Sequence, residues 1–326
     1  YEKLVRPSNR NSSLPDRSGY DKKERRGIEN LLDKTQWNTH VTNSSDRSSK
    51  ANSMNTITTN PFDDDHFHEE CGVFGIFDHK DSAAHTALGL HALQHRGQEA
   101  AGIVSTDGQQ FHSHRALGLV GDIFGSQEVM NRLSGSSAIG HNRYSTAGET
   151  VLRNVQPIFA EFEFGGLGIG HNGNLTNAFT LRKRLVERGC IFQSTMDTEI
   201  IVHLIAISQF STVFDRMIDA LRHVEGAYSL VALTKDALIG VRDPLGVRPL
   251  VLGRIDGAYI MCSETCALDI IGAEYIRDVD PGEIVIVDAD GIRSIKPFTK
   301  EPKRLCIFEY IYFARPDSNV EGHNVY

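Results

Sequence analysis

The sequence predicts an α+β fold. Short apolar runs are joined by Gly-, Asp- and Asn-containing turns, two of those turns link neighbouring runs as hairpins, and the helical patterns lie between blocks of strands instead of alternating with them. Hairpin-linked strands are antiparallel, and a sheet with an apolar face must bury it under something. Helices grouped between the strand blocks are the available cover.

Taken in order, residues 71–77 (CGVFGIF) read as a strand. Asp81 or Ser82 is placed to cap a helix in which Ala84, Ala87, Leu88 and Ala92 share a face at helical spacing. Ile103–Ser105 and Gln110–His112 flank Thr106-Asp107-Gly108-Gln109, a hairpin signal. Glu161–Phe164 alternates strictly, and Gly165-Gly166 is expected to turn it into a second hairpin with residues 167–170. Ala178, Leu181 and Leu185 line a helix that Gly189 can end, Asp197 can cap a helix through Ile207, and Phe214, Met217, Ile218 and Leu221 mark another. Strands are then expected over 227–234, 237–242, 250–253, 258–261 and 283–287.

The 326 residues carry 40% hydrophobic and 23% charged side chains, as an ordinary globular protein does. A formal net charge of -8 gives no electrostatic reason to expect nucleic acid or an anionic membrane as partner. No stretch approaches the ~20 apolar residues of a membrane span, since the longest, 200–207, is interrupted by His203. Five thinly spread cysteines do not resemble a disulfide framework, so a reducing cytoplasm is the expected compartment.

Residues 1–65 are rich in Ser, Asn, Asp, Lys and Arg with no sustained period, so residues 1–70 are expected to form a disordered leader. Position 1 is tyrosine, and Met54 is the start this composition favours. The acidic residues Asp63, Asp64, Asp65, Glu69 and Glu70 at the end of the leader are unlike a transit peptide.

Several stretches carry chemistry, each with a plainer explanation beside it. In HNRYSTAG (141–148), Arg143 precedes a small polar loop where its planar fork can hold a carboxylate, although a solvated loop arginine is commoner. In GIGHNGNL (168–175), the Asn172 amide and the Gly173 N–H can form an oxyanion hole, but Asn-Gly is also a strong hairpin signal. In STMDTE (194–199), Asp197 can partner an ammonium group or simply cap a helix. GGLGIG does not follow the spacing of a dinucleotide fingerprint, and no phosphate-binding P-loop motif occurs. Cys262 and Cys266 lack zinc-site spacing and read as buried thiols. Cys71, at the seam between polar leader and first strand, needs a base to act as a nucleophile. Its own α-amine, with a reference pKa of ~7.7–8.0, would serve if the chain were cut between Glu70 and Cys71.

The strings EECGVFGIF, LQHRGQEAAGI, HNRYSTAG, HNGNL, STMDTEI, VRDPLGVRPL, SETCALD and CIFEYIYFARPDS occur in the order and spacing of the glutamine phosphoribosylpyrophosphate amidotransferase family, which the chain resembles from Cys71 to Tyr326. The resemblance implies the N-terminal-nucleophile hydrolase fold, a four-layer α/β/β/α sandwich of antiparallel sheets, over 71–310. It implies Cys71 as the nucleophile on the glutamine amide, Asn172 and Gly173 as oxyanion donors, Arg143 on the substrate carboxylate and Asp197 on its ammonium group. Arg96 and Gly97 match the loop that supports the nucleophile, and Tyr144–Gly148, with Thr146, the loop that closes over glutamine.

The implied reaction is hydrolysis of glutamine through a thioester, the ammonia then displacing pyrophosphate from phosphoribosyl pyrophosphate to give 5-phosphoribosylamine for purine synthesis. Nothing here resembles the family's phosphoribosyltransferase half, so residues 311–326 are expected to be a stub of the connection to it, frayed from Asp317 onward. The glutaminase half-reaction needs no cofactor. The full-length enzyme implies Mg2+, a homotetramer and, in some members, a 4Fe–4S cluster, for which Cys306 aligns with one ligand; a free thiol is the alternative there. Competing readings are another class II amidotransferase, such as glucosamine-6-phosphate synthase or asparagine synthetase, and a non-catalytic module whose leader stays attached. Intact-mass analysis of the purified protein separates the last from the rest: the mature chain is expected to begin at Cys71, and retention of earlier residues removes the base.

Overall fold

Thirteen strands divide between two antiparallel sheets because their side chains alternate between two different apolar surroundings. The computed structural model describes residues 71–144 and 151–326. In chain order the first strands are β1 (Gly72–Phe77), β2 (Ala100–Thr106), β3 (Phe111–Leu117) and β4 (Ser137–Arg143), followed by β5 (Ile158–Phe162), β6 (Gly165–Leu175), β7 (Gly226–Leu233) and β8 (Ala237–Arg242). They continue with β9 (Val251–Ile255), β10 (Ala258–Cys262), β11 (Glu274–Asp278), β12 (Ile284–Asp288) and β13 (Gly291–Ile295). One sheet has the order β11-β9-β10-β1-β4-β2-β3, the other β13-β12-β8-β7-β6-β5. A final two-stranded ribbon pairs β14 (Asn319–Val320) with β15 (His323–Asn324).

The helices are α1 (Ser82–Ala92), α2 (Val120–Phe124), α3 (Gln127–Arg132), α4 (Ala178–Glu187), α5 (Thr198–Ile207), α6 (Val213–Leu221) and α7 (Cys266–Asp269). Between the sheets, Val73, Val104 and Ile139 of the first meet Val231, Leu233, Leu238 and Val285 of the second. The alternate residues of the first sheet, Phe74, Ile76 and Ile103, pack outward on Leu90 of α1, Ile123 of α2 and Leu268 of α7. Leu167, Ile169 and Ile239 of the second pack outward on Leu181, Ile201, Leu204 and Met217. The layers therefore run α/β/β/α, as the resemblance implied. Each such side chain contributes about 1.5–3 kcal/mol when fully buried.

The described strands and helices match most of the sequence-based expectations and correct several. The core face of α1 is Ala83, Thr86, Gly89 and Leu90, while Leu88 is exposed. Alanine at so many positions leaves the apolar face undefined by pattern, and Phe74 chooses it: a Cβ on Gly89 would lie 2.3 Å from the Phe74 ring. Asp81 precedes that helix but makes no side-chain cap bond. In the second hairpin Phe162 pairs with Gly165, so Glu163-Phe164 forms the turn and the glycines already belong to β6. Edge strands β11 and β13 escaped the pattern because their exposed faces carry charges. The tail from Asp317 is docked instead of frayed, with Ser318 and Val320 buried. The proposed start at Met54 and the leader through Glu70 lie outside the described residues.

Replacing Gly89 tests the seating of α1. Gly89→Ala is expected to lower the unfolding free energy by about 1–3 kcal/mol in urea denaturation, despite alanine's better helix propensity, because the ring of Phe74 occupies the space. An unchanged or raised midpoint would contradict that packing.

Candidate active site

Cys71 stands immediately before β1 and is 8% exposed. The β1–β4 register sets Gly72 opposite Asn142, which brings the start of β1 beside Arg143, the last residue of β4. The Cys71 Sγ donates to the carbonyl of Tyr144 at 3.6 Å. Behind it, the turn Gln94–Arg96 leads into Gly97, whose Cα passes so close to Arg143 that a Cβ would lie 2.7 Å from the Arg143 carbonyl carbon. Glu99 N–H then donates to that same carbonyl at 3.2 Å.

Arg96 is buried under this turn and reaches Cys71 from below. Its Nε donates to the Cys71 carbonyl at 3.1 Å. Its Nη1 donates to Glu264 Oε1 at 2.6 Å and to Glu309 Oε2 at 2.9 Å, and Nη2 donates to Glu309 Oε1 at 3.1 Å. Burial alone disfavours the Glu264 carboxylate, yet Arg96 and the hydrogen bond from His95 outweigh it and hold its pKa at about 2. The charged pair thus persists throughout the neutral range.

On the other side of Cys71, Arg143 is 1% exposed, so it is no solvated loop residue. Its Nη1 donates to the Asn154 carbonyl at 3.1 Å and to Met196 Sδ at 2.7 Å. Burial lowers its pKa, opposed by Cys71, Glu99 and Asp197, and a guanidinium keeps its proton regardless. Asn154 is itself fixed: its Nδ2 donates to Thr195 Oγ1 at 2.9 Å and its Oδ1 accepts from Thr195 N–H at 3.1 Å.

Asn172-Gly173 is not a hairpin turn. Both residues lie inside the eleven-residue β6, paired with Ser229 and Tyr228 of β7. Gly173 has φ +142°, and a Cβ there would lie 2.1 Å from the Ala227 carbonyl oxygen, so only glycine fits. Asn172 is completely buried, and neither its amide nitrogen nor its amide oxygen has a hydrogen-bond partner among the described residues. A buried primary amide without partners costs about 1–3 kcal/mol, a cost that function can offset when a ligand supplies the missing acceptor.

Asp197 precedes α5 without capping it. Its Oδ2 accepts from Leu175 N–H at 2.9 Å, and its Oδ1 lies 3.5 Å from His171 Nδ1. Burial alone would raise this carboxyl, but His171 and the N–H groups of Leu175 and Thr198 outweigh it and hold the pKa below the ordinary range. Neighbouring His141, whose Nε2 lies 3.0 Å from the His171 carbonyl, is pushed down to about 3, first by burial and then by Arg143. It is a neutral ring that spaces β4 from β6.

A narrow cavity is lined by Cys71, Arg143, Gly173 and Asp197 together with Gln156, His171 and Met196. A thiol, a guanidinium, a strained backbone N–H and a carboxylate therefore converge, with Asn172 adjoining between His171 and Gly173. This set can attack a carbonyl, hold an oxyanion and bind both charges of an α-amino acid. Thr146 lies outside the described residues. Sequence reasoning gave no role to Glu264 or Glu309, although a glutamate inside the apolar run CIFEYIYF was a visible signal.

Cys262 and Cys266 are buried, as expected, and burial raises both thiols, Cys266 to about 12. Cys306 belongs to no group of three or more ligating side chains among the described residues; the group that does form is His79, Asp81 and His85 at the start of α1. These residues do not supply a four-thiolate set for a 4Fe–4S cluster. No described helix is long and apolar enough to cross a membrane.

Residues 141–269 match the family model of the glutamine amidotransferase domain. The chain is 60% identical over 274 residues to the amidophosphoribosyltransferase of Rhizobium etli, covering 82% of this chain and 55% of that protein. It is 45% identical over 259 residues to the amidophosphoribosyltransferase of Bacillus subtilis, covering 79% and 54%. The structure of glutamine phosphoribosylpyrophosphate amidotransferase from B. subtilis, complexed with ADP and GMP, superposes with a TM-score of 0.75 at 43% identity, covering 78% of this chain and 55% of that one. The chain thus spans about half the length of the curated relatives it matches. Over that half the chain is similar to amidophosphoribosyltransferases, and its residues 141–269 match the glutamine amidotransferase domain.

Proposed function

We propose that this chain hydrolyses glutamine to glutamate and ammonia, with Cys71 as nucleophile. The observation that carries this reading is the convergence of Cys71, Arg143, Gly173 and Asp197 on one cavity beside Asn172, whose amide has no partner among the described residues. Arg143 takes the substrate α-carboxylate in a forked pair, and Asp197, kept ionised by its neighbours, takes the α-ammonium. The side-chain amide then reaches Cys71.

Once the peptide bond between Glu70 and Cys71 has been hydrolysed, the freed α-amine accepts the thiol proton as Sγ bonds to the amide carbon. The oxyanion is held by Asn172 Nδ2 and the Gly173 N–H; one such donor is typically worth about 10²- to 10³-fold in rate. The amine returns the proton to the leaving nitrogen, the C–N bond breaks and ammonia departs. Water then attacks the thioester, restoring the thiol and releasing glutamate.

In a protein of the relatives' full length, the ammonia would pass to phosphoribosyl pyrophosphate and yield 5-phosphoribosylamine, with Mg2+ as a cofactor and a homotetramer as the working form. Five free thiols support a reducing, cytoplasmic setting.

Removing the sulfur tests the reading. Cys71→Ala is expected to abolish glutaminase activity and labelling by the glutamine-like diazoketone 6-diazo-5-oxo-L-norleucine, while the fold survives a small, volume-reducing change at the start of β1. Activity near the parent level would rule out Cys71 as nucleophile.

A further inference from the structure

Two wholly buried carboxylates, Glu264 and Glu309, meet the guanidinium of Arg96 although no step above uses them. They come from distant parts of the chain. Glu264 follows β10, while Glu309 opens a wide five-residue turn, Glu309–Phe313, near the end of the sequence. Four of the five N–H groups of Arg96 are thereby accounted for: one on the Cys71 carbonyl, one on Glu264 and two on Glu309.

The same C-terminal stretch also grips the second carboxylate. Glu264 Oε2 accepts from Arg315 N–H at 2.9 Å and from the Ser318 hydroxyl at 2.7 Å, and Asn319 N–H donates to Thr265 Oγ1 at 2.9 Å. Glu309 Oε1 is further held by Arg248 at 3.2 Å. With Arg96 and Arg248 facing Glu264 and Glu309, the cluster balances its charges, and His95 Nε2 adds a contact at 2.9 Å to Glu264 Oε1.

A guanidinium is a rigid plane, so its Nε cannot stay on the Cys71 carbonyl if the other edge of the plane shifts. That carbonyl orients the Cys71 backbone, from which both Sγ and the α-nitrogen project. We infer that Glu309 is a positioning residue for Cys71, acting through Arg96, and that the segment Glu309–Ser318 thereby sets the rate of nucleophilic attack. The inference rests on the glutaminase reading, with Cys71 as nucleophile. It assigns the tail of this chain a control function: whatever displaces 309–318 displaces the nucleophile without touching the groups that bind substrate. Arg143 and Asp197 are held by other partners, Asn154 and Met196 for the first, Leu175 and His171 for the second.

The test uses the full chain with Cys71 as its mature first residue, counting active protein by thiol titration. Glu309→Gln keeps the shape but replaces the paired carboxylate with a neutral amide. It is expected to lower kcat for glutamine about tenfold or more with KM within about twofold, and to slow labelling of Cys71 by 6-diazo-5-oxo-L-norleucine by the same factor, since ~1 Å misplacements cost up to about 10²-fold. Ser318→Ala, which removes one donor from Glu264, is expected to lower kcat about two- to threefold, and Glu309→Asp to recover part of the Gln defect. A folded Glu309→Gln with parent kcat and labelling rate, or with its whole effect in KM, would overturn the inference. If Glu309→Gln does not fold, Ser318→Ala and Glu309→Asp decide by the same split, and parent kinetics in both would overturn it. A parent protein that neither labels at Cys71 nor consumes glutamine would sink the glutaminase reading itself, and this inference with it.

Discussion

Water is excluded from the middle of the sandwich, and the polar groups placed there must find their partners inside the protein or in a ligand. Arg96, Arg143, His141 and Asn172 are all at or below 1% exposure, at the end of the layers where β1 starts and β4 stops. Each is handled differently. Arg96 meets two carboxylates, His141 gives up its charge, and Arg143 gives one nitrogen to a carbonyl and a thioether. Asn172 alone has an amide with no partner among the described residues. In a packed interior that imbalance marks a place where a ligand completes the hydrogen bonding.

The same dehydration explains why glycines gather around the site. Gly97 lets the Gln94–Arg96 turn slide against the backbone of Arg143, and Gly173 lets β6 take a left-handed conformation under the Ala227 carbonyl. Neither position has room for a side chain, so the backbone carries the geometry. A site built on strands that are locked between layers loses little freedom when substrate arrives.

The C-terminal stretch from Glu309 to Asn319 packs against residues far from it in sequence. Its interior contacts with Glu264 and Arg96 mean that it is part of the core of the described domain. The charge pairs there are buried, which makes them costly to break and sensitive to small displacements.

Most of the strands, the four longer helices and the hairpin at Asp107-Gly108 are legible in the sequence, and motifs such as HNRYSTAG and HNGNL point to Cys71, Arg143, Gly173 and Asp197, which the structure gathers at one cavity. Local chemistry suffices for these because alternation, turn residues and motif spacing act over a few residues. Tertiary structure alone decided the rest. The face of α1 was chosen by the Phe74 ring, Asp197 was drawn off its helix end by Leu175 and His171, and Asn-Gly was held extended by β7. Glu264 and Glu309 lie 168 and 213 residues from Arg96, so no local pattern could pair them. Pairing charges across such separations requires that the whole sandwich close first, because only then is the guanidinium out of water and in need of them.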